Sequence, residues 1–208
     1  MSKKIYLYPI WIRSWHLLNA LLFLILIATG LAMQYANPDN EIVLISFGAA
    51  VKWHNVAAII LTFNYGFFVI GNIFTGNGKY YRKWRKNLGA NLWKQFRFYS
   101  LGMFRKQPHP FPVSEQQKFN PLQKFSYVIV MYFGMPLLII SGLGLLFPEI
   151  IAQEIFNISG IVFYDMVHII VGFTLSIFLV IHIYTCTLGE KPGTLFKSMI
   201  SGYHEEHE

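Results

Sequence analysis

Four long segments without a single Asp, Glu, Lys or Arg constrain this chain more than any other feature of its sequence. They cover residues 17–33, 56–75, 127–147 and 167–188. Each is roughly 17 to 22 residues long, which lets an α-helix cross about 30 Å of hydrocarbon. Hydrophobic residues make up 54% of the 208, and the mean hydropathy of +0.43 is too high for an ordinary soluble domain. The sequence therefore predicts an integral membrane protein.

The predicted fold is all-α, a single membrane domain over residues 1–208 with four helices in a bundle. The helices are expected at about 12–34, 50–74, 120–147 and 161–188, with a long basic connection at 75–119. Turn residues mark the ends: Asn37-Pro38-Asp39-Asn40, Gly76-Asn77-Gly78 and, after the last helix, Pro192. Asn120 is a predicted N-cap before Pro121. The first helix is expected to be retained rather than cleaved as a secretion signal, because Arg13 and His16 enter it.

The basic residues are distributed unevenly between the connections. Eleven of the 17 Lys and Arg residues fall between Lys79 and Lys124, where Glu115 is the only acidic residue. The two short connections are acidic and contain no Lys or Arg; their charged residues are Asp39, Glu41, Glu149, Glu154 and Asp165. This is the positive-inside pattern. It predicts that both termini and the basic connection are cytoplasmic, and it argues against nucleic acid as the partner of these charges.

The basic connection is also rich in aromatic residues. Between Tyr80 and Phe104, aromatic side chains are interleaved with cationic ones: Trp84, Trp93, Phe96, Phe98 and Tyr99 with Arg82, Lys83, Arg85, Lys86, Lys94 and Arg97. This composition is typical of a segment in the lipid headgroup region. An aromatic-rich cytoplasmic loop with ordinary anchoring is the alternative. Membrane lipid is a predicted partner in both cases.

Four histidines lie in or at the ends of the apolar segments, where an unpaired polar ring is costly. His168 and His182 are 14 residues apart on one predicted helix, about 40° short of four full turns, so they share a face. They are separated by about 21 Å along the axis, which places one in each leaflet. This spacing suits a helix that gives one axial ligand to each of two stacked haems.

Depth in the membrane then predicts the partners of these two ligands. His16 lies near the cytoplasmic start of the first helix, and His54 near the outer start of the second. The depth-matched pairs are His16 with His182 for an inner haem and His54 with His168 for an outer haem. If the partners were exchanged, the two histidines of each pair would lie at depths that differ by roughly 20 Å.

Other residues give weaker signals. Arg13, three residues before His16, is a candidate for a haem propionate, and interfacial anchoring explains it equally well. Six glycines in the spans offer close approach to a haem or plain helix packing: Gly30, Gly66, Gly71, Gly142, Gly144 and Gly172. We do not expect His109, His204 or His207 to be ligands, and Cys186 is expected to be an apolar filler.

The chain resembles the bacterial cytochrome b561 and nickel-iron hydrogenase cytochrome b superfamily in four segments. These are IYLYPIWIRSWHLLNALLFLILIATGLAMQY, KWHN, KFNPLQKFSY and the His-x13-His of the last helix. The resemblance covers essentially the whole chain, and it implies a multi-pass protein of the bacterial inner membrane. It is strongest to thiosulfate-reductase-type cytochrome b subunits and extends to the gamma subunit of formate dehydrogenase. It implies a subunit with two b haems that exchanges electrons between the quinone pool, menaquinone or ubiquinone, and a periplasmic iron-sulfur or multihaem partner in a respiratory complex. It also implies quinone contact at Asn120 and His182. Gln123, one helical turn after Asn120, is a candidate for lining the same quinone pocket.

Two alternatives stay open at this point. One is a stand-alone diheme oxidoreductase, for instance a superoxide oxidase, without a partner subunit. The other is a four-helix transporter or scaffold whose histidines bind zinc or copper. The absence of carboxylates and thiols beside the histidine pairs makes them poor sites for those metals.

Overall fold

The structure, a computed structural model, describes residues 3–36, 45–105, 107–115, 117–189 and 193–206. The turn at 37–40, the acidic Asp39 and Glu41, Pro192 and His207 lie outside the described residues. Four helices have the length and composition to cross a membrane: Ile10–Gln34, Phe47–Phe74, Pro121–Leu146 and Gly160–Cys186. The all-α prediction with four membrane-length helices is confirmed.

The first two helices, α1 (Ile10–Gln34) and α2 (Phe47–Phe74), both begin two to three residues earlier than predicted. Pro9 directly precedes α1, and proline has a fixed φ that suits a helix start. Ser46 precedes α2, and its hydroxyl accepts a hydrogen bond from the backbone N–H of Ala49 at 3.4 Å. This contact satisfies one of the free donors of the first turn.

The basic connection contains helical structure of its own. Two short helices, α3 (Lys79–Arg82) and α4 (Leu88–Arg97), are followed by a π-helical turn at Phe98–Gly102. On α4, Gln95 is fully buried while Trp93 and Phe96 are 65% and 51% exposed. The described part of the connection therefore includes an amphipathic helix, with both aromatic and basic residues at its surface.

The third span is interrupted near its middle. It consists of α5 (Pro121–Ile129), a π-helical turn at Val130–Gly134 and α6 (Met135–Leu146). Pro136 lacks the N–H that would bond to the carbonyl four residues earlier, so a regular α-helix cannot pass through this point. The wider π turn directly before it accommodates that lost bond.

The fourth span, α7 (Gly160–Cys186), follows a small hairpin of β2 (Glu154–Ile155) and β3 (Ile158–Ser159). The two turn residues, Phe156 and Asn157, have φ values of 54° and 61°. Two successive positive φ angles are the signature of a tight type I′ hairpin turn. Apolar composition does not reveal such a short hairpin, and it was not predicted.

The two ends of the chain are joined by a second pair of strands. β1 (Lys3–Tyr6) pairs antiparallel with β4 (Tyr203–Glu206), which follows α8 (Thr194–Ser201). The backbone N–H groups of Leu7 and Tyr8 both donate to the carbonyl of Gly202, at 3.0 and 3.1 Å. The two described termini consequently lie side by side.

By contact density the chain divides into two compact units. One takes Trp11–Val69 and Gly134–Thr185 and is called the histidine unit here, because all four candidate ligands lie in it. The other takes the described residues of Met1–Ile10, Ile70–Phe133 and Cys186–Glu208, and is called the basic unit.

Candidate functional site

Two pairs of histidine rings face each other within the histidine unit. The ring centroids of His16 and His182 are 6.2 Å apart, with the planes at 61°. Those of His54 and His168 are also 6.2 Å apart, with the planes at 71°. All four residues are half-buried. The structure thus brings together the same two pairs that depth in the membrane predicts.

The distance between the rings fits a metal ion held between them. A histidine nitrogen binds a transition metal at about 2.0–2.1 Å, so two rings on opposite sides of one ion have centres about 6 Å apart. Both pairs have this spacing, and a six-coordinate haem iron takes two axial ligands. His168 and His182 lie on the same helix about 21 Å apart along its axis, which leaves room for two separate groups.

The ring of His54 contacts a hydroxyl from the neighbouring span α1. The hydroxyl Oγ1 of Thr29 lies 2.9 Å from Nδ1 of His54, and it donates to the carbonyl of Ile25 at 2.7 Å. Since the hydroxyl has one hydrogen, it accepts from His54, and the hydrogen is assigned to Nδ1. The other ring nitrogen, Nε2, is then the unprotonated one that can bind a metal.

The ring of His168 repeats this arrangement with α6. Oγ of Ser141 lies 3.0 Å from Nδ1 of His168, and it donates to the carbonyl of Leu137 at 2.7 Å. Both members of the His54–His168 pair are therefore held by a buried hydroxyl on another helix. Such contacts fix the tautomer and orientation of metal-binding histidines.

The residue after each hydroxyl is a glycine. A β-carbon at Gly142 would lie 3.0 Å from Cε1 of His168, and one at Gly30 would lie 3.7 Å from Cε1 of His54. Three other span glycines have different surroundings: Gly144 faces Tyr164, Gly172 faces Leu138, and nothing lies within 4 Å of a β-carbon at Gly66. A β-carbon at Gly142 would therefore crowd a candidate ligand, whereas one at Gly30 would make ordinary van der Waals contact.

Packing around the His16–His182 pair is aromatic. The ring of Phe178, one turn before His182, stacks on it with centroids 5.8 Å apart. Trp15, next to His16, stacks on Phe68 at 4.3 Å, and its carbonyl accepts from the Asn64 amide at 3.3 Å. These contacts between α1 and α2 fix the backbone that carries His16. Arg13 is half-buried one turn before it, and its propionate role stays a prediction.

In the basic unit, Asn120 and Gln123 form a reciprocal capping box at the start of α5. Oδ1 of Asn120 accepts from the backbone N–H of Gln123 at 2.9 Å, and Oε1 of Gln123 accepts from the backbone N–H of Asn120 at 3.2 Å. The Asn120 amide also donates to the Tyr99 hydroxyl at 2.8 Å. The predicted N-cap is confirmed, and it engages both polar atoms of the Asn120 side chain.

The remaining histidines have separate surroundings. The ring of His109 packs on Phe98 at 4.5 Å between centroids, and partial burial lowers its pKa. His204 lies in β4, opposite Ile5. Across the described ranges, no group of three or more His, Cys, Asp or Glu side chains could hold a metal ion.

Comparison with known protein families assigns the chain to a family. The family model of prokaryotic cytochrome b561 matches residues 7–202. The chain belongs to the prokaryotic cytochrome b561 family. It is therefore a multi-pass membrane cytochrome of the b561 type, a family that binds haem b and transfers electrons.

An individual relative supports the same assignment. The chain is 38% identical over 204 residues to the Escherichia coli K12 protein named "Putative cytochrome YdhU", and the match covers 98% of this chain and 76% of that protein. No solved structure matches the chain significantly.

The sequence predictions for this b561-type cytochrome did not include Thr29 or Ser141. A weak signal for them exists in the sequence: each is a hydroxyl residue followed by glycine inside an apolar span, Thr29-Gly30 and Ser141-Gly142. A hydroxyl residue followed by glycine is a short and common pattern. It does not by itself indicate a contact with a histidine on another helix, which only the structure shows.

Proposed function

We propose that this cytochrome binds two b haems, one between His16 and His182 and one between His54 and His168. The observation that carries the proposal is the 6.2 Å spacing of both ring pairs. Haem, when bound, supplies the one-electron couple for electron transfer. The protein's own contribution is to supply the four imidazoles, hold their orientation and keep them in apolar helices.

We further propose that the two haems connect the quinone pool with a periplasmic redox subunit, as the resemblance implies. The paired strands β1 and β4 support a topology with both termini on one side of the membrane, because an antiparallel pair requires both strands on the same side. The basic segment belongs to the same unit as those strands. Together with the positive-inside rule, these features support a cytoplasmic location for both termini.

For the quinone, the candidate contacts are Asn120, Gln123 and His182. Asn120 already caps α5 and donates to Tyr99, so its role in the helix start has to be separated from any role in quinone binding. The Tyr99 hydroxyl accepts from Asn120 and still has its own hydrogen to donate, and quinone carbonyls are hydrogen-bond acceptors. Tyr99 is therefore a further candidate beside Asn120 in the basic unit.

A haem count tests the first proposal. We expect a reduced-minus-oxidised spectrum with a pyridine haemochrome assay on the purified protein to give two b haems per chain. His182→Ala should remove one of them, because a haem with one axial ligand is weakly held, whereas the control His109→Ala should retain both. A wild-type count other than two, or an H182A protein with both haems, contradicts the ligand assignment.

Co-purification tests the partner. If the chain is a subunit, mild solubilisation of native membranes should co-isolate an iron-sulfur or multihaem protein, and a reduced quinone analogue should reduce the haems. A protein that purifies alone and reacts with superoxide without a partner would favour the stand-alone oxidoreductase instead.

A further inference from the structure

We propose that Thr29 and Ser141 are positioning residues that lower the reduction potential of the haem held by His54 and His168, without affecting the other haem to the same extent. The inference rests on the proposed ligation by these two histidines. It assigns a role to two hydroxyls that neither the family match nor the histidine spacing points to.

The direction of each hydrogen bond follows from the hydroxyl's own donor. Thr29 donates to Ile25 at 2.7 Å and Ser141 donates to Leu137 at 2.7 Å, each to a carbonyl four residues earlier on its own helix. Both oxygens are then acceptors towards the imidazole nitrogens, at 2.9 and 3.0 Å. Each histidine is thereby held with its hydrogen on Nδ1.

Helix packing alone does not account for this arrangement. Ser and Thr often bond back to their own helix in a membrane, and Thr62 and Ser176 do so here, with the carbonyls of Ala58 and Gly172. Thr29 and Ser141 differ because each also contacts a candidate ligand, and the two ligands belong to the same pair. They are 4% and 2% exposed, so water has little access to replace them.

The effect on the haem follows from ligand basicity. An acceptor on Nδ1–H makes the imidazole a stronger electron donor through its other nitrogen, which favours the oxidised iron. Removing the acceptor should therefore raise the potential. The carbonyls of Leu26 and Leu138 also face these rings. Removing one hydroxyl therefore leaves a second acceptor for the ring. We accordingly expect a several-fold change in the ratio of reduced to oxidised haem, and not a larger one.

The test is a spectroscopic redox titration of the purified full-length protein, with the two haems resolved. For Thr29→Val and Ser141→Ala we expect the midpoint potential of one haem to rise and that of the other to stay unchanged. At the wild-type midpoint potential of the affected haem, the ratio of reduced to oxidised haem should be several-fold higher than in the wild type. A tenfold change in this ratio corresponds to about 59 mV for one electron. Thr29→Ser and Ser141→Thr keep the hydroxyl and should titrate like the wild type. The control variants Thr62→Val and Ser176→Ala remove hydroxyls bonded within their own helix and should not change either midpoint.

The outcomes separate this inference from the proposed function. If the wild type does not contain two b haems, the proposed function fails. If it contains two and the hydroxyl variants shift neither midpoint, shift both equally or shift one downwards, the inference is wrong and the ligation stands. Ser141→Ala is the smaller change and decides the question if Thr29→Val does not assemble.

Discussion

Gly142 on α6 faces the imidazole of His168 on α7 so closely that a β-carbon would lie 3.0 Å from Cε1 and 3.5 Å from Nδ1. We predict that Gly142→Ala displaces this ring and weakens haem binding at the His54–His168 pair. The change should be visible as a lower haem-to-protein ratio or an altered absorption spectrum.

Gly30→Ala is the matched control for that experiment. A β-carbon at Gly30 would lie 3.7 Å from Cε1 of His54, which is ordinary van der Waals contact. The variant should retain both haems. Equal losses in the two variants would mean that the distances to the rings do not govern haem binding.

A second prediction concerns Lys118, a cation in the basic unit that is only 7% exposed. Its amino group donates to Asn77 at 3.1 Å, and it lies over the ring of Tyr80 at 4.3 Å. Burial and the nearby charge of Lys79 lower its pKa to about 8. Between pH 8 and the pKa of an ordinary lysine, the unfolded chain binds more protons than the folded one, so stability rises with pH in this window.

Lys118→Gln should not show that rise, because glutamine does not titrate. Near pH 7 the variant should gain most in stability relative to the wild type. At that pH the wild-type lysine is charged, and the lowered pKa corresponds to a cost of at most about 3 kcal/mol for burying the charge. The wild type should recover relative to it between pH 8 and 10. Thermal unfolding of both proteins in the same detergent at several pH values measures this, and parallel curves would refute the prediction.

The third prediction separates the two roles of Asn120. Asn120→Asp retains an oxygen for the N–H of Gln123 and loses the amide that donates to Tyr99, whereas Asn120→Ala loses both. We expect the Ala variant to be less stable by about 1 kcal/mol, as for other lost N-caps, and the Asp variant to be close to the wild type in stability.

Quinone kinetics with the same two variants then test the binding role. If Asn120 contacts quinone, both variants should slow haem reduction by a quinol analogue. A normal rate in Asn120→Asp would leave Asn120 with the capping role alone.

The fourth prediction concerns Gly160 at the start of α7. Its N–H donates to the carbonyl of Gln153 at 2.8 Å, and a β-carbon there would overlap the backbone oxygen of Ala152. Backbone cannot move aside as a side chain does, so Gly160→Ala should destabilise the protein by about 1–3 kcal/mol. Gly66→Ala, with nothing within 4 Å, should have little effect on the melting temperature and serves as control.

The sequence by itself was sufficient for the four spans and for the pairing of the candidate ligands. Long apolar segments without charged residues indicate membrane spans, because a helix in lipid needs an apolar surface. The helical rise of 1.5 Å per residue then gives the depth of each histidine in the membrane from its position in the sequence. His168 and His182 share a face for the same local reason. The N-cap at Asn120 was also predictable, because capping depends on residues three positions apart.

Only the tertiary structure decided which side chains meet across helices. The contacts of Thr29 with His54 and of Ser141 with His168 depend on how each helix is rotated about its axis and on the rotamer of each side chain. Nothing along a single helix determines these. The same holds for β1 and β4, whose register joins residues at opposite ends of the chain. Local periodicity determines depth and face, whereas contacts between distant segments arise only when the whole chain packs.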